Sequence, residues 1–428
     1  MTRHYLFLQG PHGPFFGQLA SALADTGADV TRVGFTAGDR LFWPRRHRFC
    51  AFTGATAEWP SEFTKIIAEI GTTDLVLYGD TRAIHAQALV LARQAGLRLH
   101  VFEEGYLRPY WITYERGGAN AHSRLMQIEM SEIDRFLDEN HAEFPNPPAS
   151  WGAMRAHIFY GAVYHFTVLA LNRRYRALEP HRDISVAREA GLYLRLLLLA
   201  VPHWLDRVIA TARVFRGSFP YHLVLCQLAH DASFRSHADF PDMGAFVETV
   251  VGGFARSAPG HHHLVFKAHP LEDGRFPLRA TIRHCARAHD VAGRVHFVRG
   301  GKLGRLLDGA ATAVTVNSTA AHQALWRGRP VKAFGRAIYA GRNFTSEQPL
   351  SEFWANPTPP NHAQYRRFRQ FLLATSQVPG SYYTSVGRRK IIRRIVDLMR
   401  AETDPYDRAK RGKTATSRQL FSVVHTAN

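Results

Sequence analysis

The chain has 428 residues, 46% of them hydrophobic, so it is too long for one ordinary domain and has enough apolar side chains for more than one core. Lysine and arginine number 54 against 35 aspartates and glutamates, and the formal charge of +19 favours an anionic partner such as a phosphorylated substrate or an acidic lipid. The sequence lacks the motifs of nucleic-acid-binding folds, so nucleic acid is not the expected partner.

No apolar, uncharged window reaches the roughly 18 residues of a membrane-spanning helix. The N-terminal stretch MTRHYLFLQGPHG predicts a first strand and not a signal peptide. The cysteines, Cys50, Cys226 and Cys285, are far apart in sequence and show no metal-ligand spacing. We therefore expect a cytoplasmic protein with reduced thiols, and neither a metal nor a cofactor.

Strand and helix patterns alternate over residues 1–110. The first predicted strand, HYLFLQ, leads through the glycine-rich turn GPHGPFFG into the helical stretch LASALADTG. The strands ADVTRVGF, DLVLYG and LRLHVFEEG follow, separated by the helical patterns SEFTKIIAEIG and IHAQALVLARQAG. Strands that alternate with helices of this length, each helix closed by glycine, predict a parallel sheet built from βαβ units.

The same alternation resumes after residue 220, with the strands YHLVLCQL, HHLVFKAHP, GRVHFV, ATAVTVNS and PVKAFG. The fold class predicted is therefore α/β, with two Rossmann-like domains facing a central cleft (GT-B-like), a helical connecting region and C-terminal helices. Ligands of such sheets bind at the carboxyl ends of the strands, so the residues after each apolar run are the candidates for function.

The segment between the two halves has a mixed basic and apolar helical pattern. Its most hydrophobic part, GLYLRLLLLAVPHW, is either an amphipathic helix on a membrane surface or a buried connecting helix. The expected regions are an N-terminal Rossmann-like acceptor and catalytic domain at 1–150, a helical connector at 151–215, a C-terminal Rossmann-like nucleotide-sugar domain at 216–345, helices at 346–400 and a basic disordered tail at 401–428.

Two strand ends of the second half carry groups that suit a phosphate. Lys267, His269 and Pro270 end the strand HHLVF, and the imidazole and ammonium groups can bind a phosphate, although His-Pro can also simply end a strand. Asn317, Ser318 and Thr319 precede the helical pattern TAAHQALW, where they serve as a helix cap, an anion site or both. Together the two strand ends favour a nucleotide site.

The last predicted strand of the first half ends in Glu103 and Glu104. A carboxylate in this position can act as a general base or as a nucleophile toward a sugar carbon. Arg108 can bind a substrate carboxylate or orient a glutamate, and a structural Glu–Arg pair is the alternative.

Two further stretches with polar residues follow strands. Gly10, His12 and Gly13 lie in a turn that admits close approach of a sugar or acceptor, or is a plain tight turn. Gln227, Asp231 and His237 lie in QLAHDASFRSH, and no G-x-S-x-G elbow surrounds its serine, so a Ser-His-Asp hydrolase is not favoured.

Several motifs occur together in a fixed order over residues 5–355. They are GPHGPFFGQLASAL, EEGYLRPYWIT, QLAHDASFRSH, FKAHP, VNSTAAHQAL and GRPVKAFGRAIY, with PLSEFW beyond them. In this order they resemble the bacterial capsule polysaccharide biosynthesis proteins of the KpsS/LipB type. The resemblance implies a retaining β-Kdo glycosyltransferase that uses CMP-Kdo and starts a Kdo linker on lysophosphatidylglycerol.

The resemblance also implies roles for individual residues. His269 and Pro270 match the family's His-Pro and would contact the cytidine phosphate, and residues 317–319 match its Asn-Ser-Thr turn, which would contact phosphate or the Kdo carboxylate. Related Kdo transferases carry Glu-Asp-Gly, in which the acid before glycine is the suspected nucleophile. Here that residue is Glu104, a glutamate where the relatives have aspartate.

The family resemblance implies an enzyme peripheral to the inner membrane, where it would meet its acceptor at an anionic surface and work with a capsule biosynthesis and export complex. Two other functions stay open from the sequence. One is a CDP-glycerol-dependent phosphotransferase, which would bind a cytidine nucleotide without needing Glu104. The other is a non-catalytic export or scaffold protein.

Overall fold

The computed structural model describes residues 2–140, 154–178 and 186–411. Its strands form two sheets. In chain order they are β1 (His4–Phe7), β2 (Asp29–Gly34), β3 (Arg48–Ala51), β4 (Asp74–Tyr78), β5 (Arg98–Glu104), β6 (Trp111–Arg116), β7 (Tyr221–Leu225), β8 (His263–Lys267), β9 (Val295–Val298), β10 (Thr312–Thr315), β11 (Val331–Ala333) and β12 (Gln377–Pro379).

Helices connect the strands and cover both faces of the sheets. They are α1 (Phe15–Ala24), α2 (Ala37–Leu41), α3 (Trp59–Glu69), α4 (Ala83–Gln94), α5 (Met130–Asn140), α6 (Met154–Leu171), α7 (Val186–Leu198), α8 (Ala200–Arg216), α9 (Ala232–His237), α10 (Met243–Ser257), α11 (Leu278–Ala288), α12 (Leu303–Gly309), α13 (Ala321–Trp326), α14 (Leu350–Phe353), α15 (His362–Thr375), α16 (Ser385–Arg400) and α17 (Pro405–Arg411). Short 3₁₀ turns lie at Thr56–Glu58, Asn120–His122, Arg124–Gln127 and Asn172–Tyr175. None of the described helices combines the length and the apolar character that crossing a membrane requires.

The chain divides into two compact units, Met1–Arg182 with Arg367–Asn428, and Asp183–Arg366. We call them the first and the second unit. Each contains one of the two sheets, and the predicted α/β class with two Rossmann-like domains is confirmed.

The first unit contains a seven-stranded sheet in the order β3-β2-β1-β4-β5-β6-β12. Strands β1 to β5 are parallel, β6 is antiparallel to β5, and β12 is antiparallel to β6. The order 3-2-1-4-5 is that of a doubly wound sheet. Strands β2 and β3 are added on one side of β1, and β4 and β5 on the other, so the strand order reverses between β1 and β4. The carboxyl ends of these two strands and of β5 therefore form the edge where a ligand is expected.

Alternating side chains of these strands fill a core on each face of the sheet. Tyr5, Phe7 and Phe102 pack with the helices α1 and α16 on one face. Leu6 and Leu75 pack with α3 and α4 on the other face. Because both faces are covered, the strands need continuous apolar runs, which is why their sequences were recognisable.

The second unit contains a five-stranded parallel sheet in the order β11-β10-β7-β8-β9. It has the same doubly wound order, and its reversal lies between β7 and β10. Val224, Leu264 and Phe266 pack with the helix α10 in a core closed by Trp354. Gln227 follows the carboxyl end of β7 and Asn317 follows that of β10, so both residues lie at this reversal point.

The expected region boundaries need several corrections. The connector at 151–215 is not one region, because α6 belongs to the first unit while α7 and α8 belong to the second. The helices expected as a separate group at 346–400 are also divided, since α14 lies in the second unit and α16 in the first. These divisions arise from contacts between residues far apart in sequence, which local patterns do not record. The expected boundary at 150/151 lies outside the described residues.

The tail at 401–428 was predicted to be disordered, and this is wrong for residues 405–411, which form α17. The helix is held by ion pairs of Arg124 with Asp404 and Asp407, and it packs against α5. Burial of Tyr406 adds an apolar anchor. Residues 412–428 lie outside the described residues.

Two arginines, Arg3 just before β1 and Arg116 at the end of β6, bind the carboxyl end of α16. Nη2 of Arg116 donates to the carbonyl oxygens of Leu398 at 2.6 Å and Ala401 at 2.5 Å, and Nη1 of Arg3 donates to that of Met399 at 2.8 Å. The last carbonyl groups of a helix have no partner within the helix, and a cation there also interacts favourably with the helix dipole.

We expect Arg116→Ala to lower the free energy of unfolding of the first unit by about 2 kcal/mol, because several carbonyl groups lose a charged donor. Urea unfolding followed by circular dichroism would measure the change. Arg389→Ala is the matched control, since Arg389 is exposed on the same helix. Equal stability of the two variants would contradict the role given to Arg116.

Candidate functional site

Glu104, the last residue of β5, is held by two tyrosines. Its Oε1 accepts hydrogen bonds from the hydroxyl groups of Tyr78 and Tyr383, each at 3.0 Å. Tyr78 ends the neighbouring strand β4, and Tyr383 lies between β12 and α16. No described group donates a hydrogen bond to Oε2 of Glu104. One carboxylate oxygen is therefore fixed while the other remains available for chemistry.

Glu103 lies on the opposite face of the strand, as the alternation of side chains requires. Its Oε1 accepts a hydrogen bond from the backbone N–H of Glu104 at 2.9 Å. Gly79 has a φ of +71°, and a Cβ at this position would lie 3.5 Å from Oε2 of Glu103. Burial, with help from the nearby charges of Glu104 and Asp80, raises the pKa of Glu103 to about 7.

Asp80 follows β4 and is buried close to Glu103. Its Oδ2 accepts a hydrogen bond from the backbone N–H of Ala119 at 2.9 Å and lies 3.3 Å from Nδ1 of His122. A buried acid with only part of its oxygens bonded keeps the electrostatic potential near Glu103 negative, which is one reason for the raised pKa.

Arg108 does not orient either glutamate in the described structure. Its side chain is exposed, and its Nε donates to the carbonyl oxygen of Gly105 at 3.3 Å. The tyrosines do the orienting instead, and neither was among the residues predicted from the sequence. Tyr78 was visible at the end of a predicted strand, whereas nothing local connects Tyr383 with a glutamate 279 residues earlier.

The helix α6 brings further polar rings to this end of the sheet. The ring of His157 lies 4.4 Å from the ring of Tyr383, and burial lowers the pKa of His157, so its imidazole is neutral at pH 7. A neutral imidazole beside the tyrosine that binds Glu104 is a candidate proton acceptor. His157 was not among the predicted site residues either, because α6 falls within the predicted connector.

The glycine-rich turn after β1 packs closely against α1 at Gly10 and against α6 at Gly13. A Cβ on Gly10 would lie 2.5 Å from the ring of Phe16, and one on Gly13, whose φ is +105°, would lie 3.0 Å from the ring of Tyr160. The ring of His12 lies 4.7 Å from that of Tyr164. The absence of a side chain at Gly13 is thus explained by the close packing of the Tyr160 ring.

In the second unit, Lys267 and His269 lie at the carboxyl end of β8. Lys267 is 6% exposed, and burial lowers its pKa. The Nδ1 of His269 accepts a hydrogen bond from the backbone N–H of Leu271 at 3.1 Å. In the neutral ring this bond assigns the proton to Nε2, so His269 presents a donor suited to a phosphate oxygen. Pro270 follows in the exposed turn.

Gln227 and Asn317 form a mutual pair at the reversal point of the second sheet. The Nε2 of Gln227 donates to Oδ1 of Asn317 at 2.7 Å, and the backbone N–H of Asn317 donates to Oε1 of Gln227 at 3.1 Å. Both residues are 6% exposed. The pair fixes the ends of β7 and β10 relative to each other. These ends lie at the edge where doubly wound sheets bind nucleotides.

The prediction that residues 317–319 open a helix needs correction. The helix α13 begins at Ala321, has six residues, and has Ala320 at its N-cap. Oγ of Ser318 accepts a hydrogen bond from the N–H of Ala320 at 3.2 Å, so it stabilises the turn before the helix. Thr319 lies in the same turn. A polar turn after a strand and a helix cap share the same residue types, which is why the sequence did not distinguish them.

Asp231 directly precedes the helix α9, and His237 is its last residue. The carbonyl oxygen of Asp231 accepts from the N–H of Arg235 at 3.0 Å, and that of His237 accepts from the N–H of Arg336 at 2.9 Å. His237 is buried, and its contacts place it in the packing of this helix against the segment after β11. Among the described residues, no group of three or more His, Cys, Asp or Glu side chains is arranged to hold a metal ion.

The fold and these strand ends define a protein of two doubly wound units with polar side chains at the carboxyl edge of each sheet. The family model of the "Capsule polysaccharide biosynthesis protein" matches residues 73–383, a span that includes Glu104, His269 and Tyr383. The chain belongs to this family, and the resemblance predicted from the sequence is confirmed.

Individual relatives agree with this assignment. The chain is 29% identical to the capsule polysaccharide export protein KpsS of Escherichia coli, with 89% of this chain and 97% of that protein covered. It is 30% identical to the capsule polysaccharide modification protein LipB of Neisseria meningitidis serogroup B, with 90% and 93% covered. Among solved structures, the β-Kdo 2,7-transferase KpsC of Thermosulfurimonas dismutans aligns with a TM-score of 0.44 and 14% identity, covering 93% of this chain and 99% of that one.

We expect Glu103 to titrate near pH 7, far from the ordinary value of 4.5, because its burial disfavours the charged form. The range from pH 5 to pH 9 brackets a pKa of about 7. Infrared difference spectra over this range would show the loss of the protonated carboxyl band as the pH rises. The part of the band that titrates near pH 7 should vanish in Glu103→Gln and persist in Glu352→Gln, an exposed glutamate. Glu115, whose pKa burial raises to about 8, would titrate separately and would be identified with Glu115→Gln.

The raised pKa of Glu103 makes the stability of the protein depend on pH. Because the folded pKa of Glu103 is raised, the stability contributed by its protonated form is full below about pH 4.5 and is lost as the pH rises through about 7. Glu103→Gln should therefore become more stable relative to the natural chain as the pH increases. A constant difference across this window would contradict the raised pKa.

Proposed function

We propose that this protein is a retaining glycosyltransferase of capsule synthesis. Its donor would be CMP-Kdo and its acceptor lysophosphatidylglycerol, on which the poly-Kdo linker of a capsular polysaccharide begins. The observation that carries the proposal is the environment of Glu104, a strand-end carboxylate with one oxygen fixed by two hydroxyl groups and the other unbonded to any described residue. Membership of the capsule polysaccharide family supports the context.

The proposed chemistry has two steps. In the first, Oε2 of Glu104 attacks the anomeric carbon of Kdo while the bond to the phosphate oxygen breaks, and CMP leaves with the electron pair. In the second, the acceptor hydroxyl attacks the same carbon, the ester bond to Glu104 breaks, and the carboxylate is regenerated. Two inversions give net retention, as in the two-step glycosidases.

The two tyrosines support each step. Hydrogen bonds to Oε1 leave Oε2 in a defined direction for attack. They also stabilise the carboxylate that is released in the second step, because the donors are already in place when the charge returns. Glu104 replaces the shorter aspartate of related transferases, and the tyrosines restrict the additional side-chain torsion.

Residues of the second unit are assigned to the leaving group. The Nε2–H of His269 and the ammonium group of Lys267 would stabilise negative charge on the departing phosphate. The Gln227–Asn317 pair would fix the shape of the strand ends that bind the nucleotide. These assignments rest on the hydrogen bond that fixes the tautomer of His269 and on the burial of Lys267.

The proton of the acceptor hydroxyl needs a base. Glu103 has a pKa near neutrality, but its side chain leaves β5 on the face opposite to Glu104. His157 contacts Tyr383 on the same face as Glu104, and its neutral ring can accept a proton. We assign the base to His157 and give Glu103 the role of fixing the backbone of Glu104.

Mass spectrometry of the protein mixed with CMP-Kdo alone tests donor and nucleophile together. We expect a covalent sugar adduct on a peptide that contains Glu104, and none in Glu104→Gln, whose rate of transfer should fall about 10³-fold or more. Glu352→Gln is the control and should form the adduct. Glycerol phosphate transfer from CDP-glycerol with no adduct from CMP-Kdo would favour the phosphotransferase instead.

Tyr383→Phe tests the positioning of Glu104. Loss of one of two donors should lower kcat about 10²-fold and leave KM for CMP-Kdo nearly unchanged, because the donor molecule itself keeps its contacts. Tyr221→Phe is the control, a buried tyrosine of the second unit whose hydroxyl donates to the carbonyl oxygen of Leu306. An equal loss in both variants would show that the tyrosine acts only on folding.

A further inference from the structure

Large apolar side chains on the surface of this protein are concentrated in three helices. Among the described residues, 18 large hydrophobic side chains are exposed, and 14 of them lie in α6, α7 and α8. Monomeric proteins rarely expose apolar surface in contiguous patches unless it binds something. The concentration indicates that these helices carry an interaction surface.

The helix α6 is apolar on both of its faces. From Ala156 to Asn172 it contains no charged residue. Its inner face packs on the first unit through rings such as those of Tyr160 and Tyr164. Its outer face exposes Met154, Ile158, Phe159, Phe166, Leu169 and Leu171, and Phe166 is 72% exposed. A helix that is hydrophobic all round is normally covered on both faces.

The helices α7 and α8 of the second unit show the same feature. Their exposed apolar residues recur at helical spacing and are Leu194, Leu197, Leu198, Val201, Trp204, Leu205, Val208 and Ile209. Leu197 and Leu198 are 73% and 75% exposed. The sequence left open whether GLYLRLLLLAVPHW is a buried connector or a surface helix, and these exposures decide against burial. Trp204 is a residue type that favours the boundary between lipid and water.

The charges around the apolar faces identify the partner. Residues 154–178 contain no acid, and Arg155, Arg173, Arg174 and Arg176 lie exposed at the two ends of α6. In the second unit, Arg188, Arg195 and Arg216 are exposed on or at the ends of the apolar helices. Apolar side chains bordered by long cationic ones fit the boundary region of an anionic bilayer, where the apolar part inserts and the guanidinium groups reach the phosphates.

We propose that α6 in the first unit, and α7 with α8 in the second, bind the surface of an anionic phospholipid bilayer without crossing it. The inference rests on the proposed function only in that a lipid acceptor would lie in the same bilayer. In the first unit it has a structural consequence, because α6 also carries His157, whose ring contacts the tyrosine bound to Glu104. Contact with lipid on the outer face of α6 would thereby help to order the end of the sheet that holds the nucleophile.

Sedimentation of the full-length protein with vesicles tests the proposal. We expect binding to vesicles of phosphatidylglycerol and phosphatidylethanolamine, and at least tenfold weaker binding to pure phosphatidylcholine. The double variants Phe166→Gln with Leu169→Gln, and Leu197→Gln with Leu198→Gln, should each weaken binding to the anionic vesicles at least tenfold. Arg173→Gln with Arg174→Gln should also weaken it and should reduce its dependence on salt.

The matched control is Val90→Gln with Val386→Gln, since these valines are 53% and 54% exposed and lie outside the three helices. Circular dichroism of every variant checks that folding is kept. Equal binding of the control and the apolar variants, or no preference for anionic vesicles, would overturn the proposal. So would a self-associated protein that ignores vesicles and becomes monomeric in the apolar variants, because the surface would then bind a second copy.

Transfer activity is measured separately on the unmodified chain with a water-soluble acceptor. Vesicle binding without any transfer would count against the proposed function and leave the lipid surface standing. Transfer without vesicle binding would do the reverse.

Discussion

The antiparallel pairing of β12 with β6 is the contact on which the candidate site depends. Val378 pairs with Ile112, and the chain that leaves β12 then places Tyr382 and Tyr383 beside the end of β5. The hydroxyl of Tyr382 donates to the backbone carbonyl oxygen of Glu103 at 2.7 Å, and that of Tyr383 donates to Glu104. A strand from the C-terminal part of the chain thus completes the site formed by the N-terminal part.

This return of the chain explains part of the basic composition. Arg3, Arg116 and Arg135 donate to backbone carbonyl oxygens of the C-terminal helices, and Arg388 donates to those of Tyr382 and Tyr383. Guanidinium groups suit this task because each offers several donors in a fixed plane. The positive charge that suggested an anionic ligand therefore also has a structural use.

The sequence predicted what is local and missed what is not. Both doubly wound sheets were recognisable from apolar runs, and the positions of Glu103, Glu104, His269 and Asn317 at strand ends were predictable because these residues close such runs. The pairing of β12 with β6 has no local signal, so the tyrosines were missed. The six-residue helix α13 and the polar turn before it share residue types with a capped helix, which explains the misplaced helix start. The helix α6 was assigned to a connector because uniform hydrophobicity does not indicate which face packs against the protein.

Adjacent glutamates at the end of one strand acquire different properties because a strand alternates its side chains. Glu104 emerges among tyrosine hydroxyl groups that donate to one of its carboxylate oxygens, whereas Glu103 emerges beside Gly79 and a buried aspartate, where burial and like charge raise its pKa to about 7. The dipeptide therefore uses both faces of the sheet: one supplies hydroxyl donors that fix a carboxylate oxygen of Glu104, and the other raises the pKa of Glu103, so that less negative charge from Glu103 lies beside Glu104, where the proposed chemistry would take place.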